Sequence, residues 1–152
     1  MISGSTLKST GEEVRVFDPN ISMQEVKVSL EALNRELFQL PIRVHLDTVK
    51  FGGLFNSSKQ DCLGIVNKEH DDYFVFFIVC TRTGRSANFS LRYGGISKLI
   101  GQEFQTKERE SNLRGKILNS IFRVNEEALD QEYEYYALLK ELFKRCLERC
   151  SK

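Results

Sequence analysis

The stretch "YFVFFIVCTRTGRSANFSLRY", residues 73–93, decides the fold. Every position from Tyr73 to Cys80 is apolar. A strand of that kind has no side for water, so it reads as a central strand covered on both faces. It is far too short to cross a bilayer. Thr83-Gly84 then makes a tight turn, because glycine reaches positive φ without steric cost. "SANFSLRY", 86–93, alternates: Ala87, Phe89, Leu91 and Tyr93 point one way, and Ser86, Asn88, Ser90 and Arg92 the other. Two strands joined by a turn of this length make an antiparallel hairpin.

Working upstream, "NKEHDD", 67–72, is a turn and "CLGIV", 62–66, a strand. "TVKFGGLFNSSKQ" reads as loop around Gly-Gly and Asn-Ser-Ser, and "IRVHL", 42–46, as a half-buried strand. Ser22 and Glu25 have the spacing of a capping box. Val26, Leu30, Leu33, Leu37 and Leu40 follow at spacings of four and three, which predicts a helix over 22–39 that Pro41 stops. "VRVF", 14–17, reads as a short strand ended by Asp18-Pro19-Asn20, and residues 1–13 as a flexible tail.

Downstream, Gly94-Gly95 breaks the sheet. Leu113, Ile117, Ile121 and Val124 predict a helix within 106–124. Asn125 is placed to cap a last helix carrying Leu129, Tyr136, Leu139, Phe143, Cys146 and Cys150. The segregated order of elements predicts an α+β fold: an N-terminal helix, an antiparallel β-meander of about four strands, and C-terminal helices, with 14–152 as a single domain. The layers on the two faces of strand 73–80 would come from these helices or from a second subunit.

The chain has 152 residues, 41% apolar and 28% charged, with a net charge of +1. That balance is globular and gives no overall pull toward nucleic acid or membrane. The charge is unevenly spread. Residues 81–123 hold nine Lys or Arg against three acids, while the segments on either side are mildly acidic. Arg82, Arg85, Arg92 and Lys98 lie in or beside the hairpin, and Arg109, Lys116 and Arg123 recur every seven residues along the predicted helix. Together they are the candidate nucleic-acid-binding set. Lys and Arg contacts to phosphate give sequence-independent affinity. Phe89 and Tyr93 belong to the apolar side of their strand and so are core residues rather than platforms for stacking bases.

No catalytic constellation emerges. Cys62, Cys80, Cys146 and Cys150 occupy apolar positions without the paired spacing of a zinc site, and they read as reduced core thiols. His45 lies on the polar side of a strand and His70 in a turn, neither in a nucleophile signature. "EHDD", 69–72, reads as a wet turn rather than a metal site, and "GGIS" lacks the pattern of a phosphate-binding loop. The start of the chain has no apolar run of the signal-peptide kind. The sequence therefore predicts a small cytoplasmic, non-enzymatic interaction domain. It needs no cofactor or metal, has no membrane role, and works through a protein partner or self-association. The alternative is a nucleic-acid-binding accessory protein that uses segment 81–123.

Overall fold

The computed structural model describes residues 2–52, 58–69, 75–94 and 126–151. The predicted helix within 106–124, together with Lys98, Arg109, Lys116, Arg123, His70, Asp71 and Asp72, lies outside the described residues.

The strand 73–80 is realised as β5, Phe76–Thr83, and its partner as β6, Ser86–Tyr93. They pair antiparallel from Phe76 with Tyr93 to Thr83 with Ser86. Gly84-Arg85 forms the two-residue loop, with Gly84 at φ 58° as the turn requires. The residues of β5 divide between two apolar clusters. Phe76, Ile78 and Cys80 enter one, and Phe77 and Val79 the other, so the strand is covered on both faces as its sequence predicts.

The sheet is larger than a four-stranded meander. It has six strands in the order β1, β3, β4, β5, β6, β2, with β1 at Ile2–Ser3, β2 at Lys8–Phe17, β3 at Ile42–Phe51 and β4 at Ser58–Asn67. Residues read as tail and as loop are drawn into it. The added length comes from polar and glycine-containing stretches such as "KSTGEE" and "DTVK". Their side chains carry no strand pattern, and their backbone groups pair because a neighbouring strand offers partners. The 1–13 assignment is corrected accordingly: β1 pairs with β3 through Ile2–Val49 and Ser3–Lys50, and β2 pairs with β6 from Lys8 onward.

The two edge strands belong to one N-terminal segment, and this sets the curvature of the sheet. Ser3 and Lys8 are joined by at most about 18 Å of extended chain. The five strand-to-strand steps between β1 and β2 would take about 24 Å in a flat sheet. The sheet must therefore curl, and the linking residues cross its concave side. Leu7 packs there with Val49, Cys62, Phe77 and Val79. A β-carbon at Gly94 would lie 2.6 Å from the Phe77 ring and 2.9 Å from Leu7, so this crossing is tight.

Both described α-helices lie on the other, convex face. The concave side is covered by its own curl and by the crossing segment, a 3-10 turn over Gly4–Thr6 followed by Leu7, and no described α-helix packs there. Helix α1, Met23–Leu33, begins as predicted: Ser22 Oγ accepts the Glu25 amide at 3.2 Å. The helical run fills the expected span of 22–39, but its winding changes: α to Leu33, then a wider π turn over Asn34–Phe38 that closes at Gln39 with φ 51°. The cause is Asn34. Its side chain accepts the Leu40 amide at 2.9 Å and donates to the Leu40 carbonyl at 3.0 Å, which holds the chain in a return loop before Pro41. Helix α2, Glu126–Cys150, lays Leu139, Leu142, Phe143, Cys146 and Leu147 against Val26, Leu30 and Leu33 of α1 and against the convex face. Phe76 is the junction, with its ring stacked 5.6 Å from Tyr136 and edge-on to Tyr93 at 5.2 Å.

Candidate functional site

Three of the seven candidate cations fall within the described residues, and the sheet separates them. Arg82 stands on the convex face, where it donates to the Ile21 carbonyl at 3.0 Å and lines a cavity of about 340 Å³ with Asp61, Cys80 and the start of α1. Arg85, in the hairpin loop, is bonded to Asp18 at 2.6 Å. Arg92 is on the concave face. Its guanidinium lies 5.4 Å from the centre of the Phe51 ring, and its Nε donates to Ser90 Oγ at 3.2 Å. The strand alternation that puts Arg92 opposite Phe89 and Leu91 is as read from the sequence. That side is half-buried concavity rather than open surface, because the sheet curls.

The cysteines are free thiols, and among the described residues no group of His, Cys, Asp and Glu is arranged to hold a metal. Cys62 sits in the concave cluster, and Cys80 and Cys146 in the convex one. Burial pushes the Cys62 thiol from 9.0 up to about 11, helped by Asp47 and Asp61, and pushes Cys146 up to about 12, helped by Cys150. A thiol raised in the folded state favours the protonated form. Its contribution to stability is complete below the unfolded value near 9 and is lost as pH rises through the folded value. We expect the denaturation midpoint to fall with rising pH between about 9 and 12, and Cys62→Ala with Cys146→Ala to flatten that fall. A midpoint constant across this range would contradict the burial of these thiols. His45 lies 3.9 Å from Asp47, and its imidazole fills the space where a side chain at Gly64 would begin. Glycine on β4 is what lets the ring lie flat on the sheet.

A feature that sequence periodicity does not mark is the difference between the two sheet edges. β2 carries devices that discourage pairing: a register shift between Ser9 and Glu13, Gly11 at φ 85°, and Glu12 held by Lys144 at 3.0 Å. β3 carries none of them. It pairs with β4 without interruption from Ile42–Asn67 to Phe51–Ser58, while on its outer side β1 meets it only at Val49 and Lys50. Among the described residues, the outer side of 42–48 has no strand beside it; at its two ends the Ile42 amide donates to the Leu40 carbonyl at 2.8 Å and the Thr48 amide to Asp47 Oδ1 at 2.7 Å, so the open part is centred on Val44 and Leu46. Leu46, on this stretch, is 45% exposed. The signal that could have found it is the length of β3, which the polar residues Asp47, Thr48 and Lys50 concealed and the buried Val49 continued.

Next to the start of β3 lies a second cavity, of about 520 Å³, between the end of α1, the return loop and the sheet. No described helix is long and apolar enough to cross a membrane. In comparisons with known proteins, the chain matches no family model, no curated protein and no solved structure.

Proposed function

We propose that this chain is a non-enzymatic protein-interaction domain, and that its binding element is the outer edge of β3, to which a partner adds an extended segment. The observation that carries the reading is the contrast between edges: a regular ten-residue strand paired outward over two residues, opposite one whose register is broken between Ser9 and Glu13 around a positive-φ glycine. An unpaired regular edge is a template for main-chain hydrogen bonding, which supplies affinity with little demand on sequence. The phosphate-binding alternative draws less support. Arg82 and Arg92 stand on opposite faces, and the charge of Arg85 is matched by Asp18.

The test is a selection from a library of C-terminally amidated peptides of about eight residues. An added strand directs every second N–H toward its neighbour. Backbone N-methylation at alternate residues of a selected peptide is expected to abolish binding, and N-methylation at the residues between them to be tolerated. Uniform tolerance along the peptide would refute strand addition.

A further inference from the structure

The cavity beside β3 points to what a partner strand would carry. Its floor is apolar, made by Leu40, Ile42 and Val44, and its rim holds Arg35, Gln39 and Lys68. Among the described residues neither Arg35 nor Lys68 makes an ion pair or side-chain hydrogen bond. The one acid in the lining, Glu31, is bonded to Lys27 at 2.7 Å. The walls are fixed before any ligand arrives. Asn34 brackets Leu40 with two hydrogen bonds, the Gln39 amide donates to the Asn34 carbonyl at 2.6 Å, and the Lys68 amide donates to the Pro41 carbonyl at 2.7 Å. A rigid hollow with an apolar floor and two unmatched cations suits a carboxylate on a short aliphatic stem.

Ile42 and Val44 connect this hollow to the open edge. They line the cavity and belong to β3, on the convex side of the sheet. Residues directly opposite one another on neighbouring strands hold their β-carbons about 4.5–5.5 Å apart on the same face. A residue of an added strand in register with Ile42 or Val44 would thus project its side chain beside the cavity. We infer that the hollow formed by Arg35, Lys68 and the return loop selects an Asp or Glu side chain in the partner's extended segment, at the position that pairs with the start of β3. This rests on the strand-addition reading above. The occupant is an acidic side chain of a protein partner, not a free terminus.

The experiment uses the full chain and the same amidated library, so that no terminal carboxylate is present. Selected peptides are expected to share an acidic residue at one position, and its replacement by the matching amide should weaken binding roughly tenfold. The double variant Arg35→Gln, Lys68→Gln should bind the acidic and amide peptides equally, with its thermal midpoint unchanged since both side chains are exposed. Selected peptides that show the alternating N-methyl pattern but no acidic preference would overturn this inference and leave strand addition standing. An acidic preference that the double variant retains would also overturn it. Peptides with neither property would overturn both.

Discussion

Replacing Phe76 with alanine is expected to cost about 3–5 kcal/mol, a large share of the roughly 5–15 kcal/mol by which an ordinary domain is stable. Phe76 is fully buried at the place where β5 meets α2, against Tyr93, Tyr135 and Tyr136. Its neighbours are large rings held by separate elements, so the hollow left by alanine cannot close by a small shift. The loss then combines transfer and cavity terms. Equilibrium denaturation of the variant should show a lower midpoint with an unchanged slope. Phe17, 73% exposed at the end of β2, is the control, and its alanine variant should lie within about 0.5 kcal/mol of the parent. Equal losses at the two positions would mean that the sheet and α2 do not pack as described.

Asn34→Ala is expected to cost about 1–3 kcal/mol, because it strips the Leu40 amide of its partner and leaves the Leu40 carbonyl with the Ile42 amide alone. Asn34 is itself buried and lies at the first residue of the π turn, so no water replaces its amide freely. The loop it closes also forms the wall of the acidic-side-chain hollow. The same variant should therefore lose discrimination between acidic and amide peptides while still binding both through β3. A variant as stable as the parent would show that the return loop is held by its backbone bonds, Gln39 to Asn34, Ile42 to Leu40 and Lys68 to Pro41, without the Asn34 side chain.

Strong local patterns were legible in the sequence, and patterns imposed from outside were not. The uniform apolar run to Cys80 announced a strand buried on both faces. The alternation of Ala87, Phe89, Leu91 and Tyr93 announced its partner, and Ser22 with Glu25 announced the start of α1. These elements are specified by their own side chains. The first half of β2 and the ends of β3 and β4 are specified by neighbours. Lys8–Glu13 is polar and Asp47–Lys50 is polar apart from the buried Val49, so neither gives a periodic signal, yet they pair because β6 and β4 run alongside. The helical run over Met23–Phe38 matches the expected span of 22–39, but its change of winding was not legible. Leu37 and Leu40 continue the spacing of α1, while the bonds between Asn34 and Leu40, six residues on, hold the last turn in the wider form. Leu37 is left exposed, and Leu40 becomes the floor of the cavity.

The candidate site was less legible than the fold. The sequence directed attention to cations, and Arg82, Arg85 and Arg92 prove to be separated by the sheet or engaged by the chain itself. Whether a strand edge is open depends on the order of strands in the sheet, and that order arises from contacts between distant segments, which local side-chain patterns do not display. Arg35 and Lys68 are far apart in sequence and meet only through the return loop and the end of β4.

Amide hydrogen exchange across the sheet, measured with and without a peptide selected from the library, tests the central claim most directly. Strand addition predicts that the outward-facing amides of the middle of this edge, around Val44 and Leu46, slow markedly on binding, that those of β2 over 8–17 do not change, and that β5 is slow in both states. Protection gained on β2, or gained nowhere in β3, would contradict it.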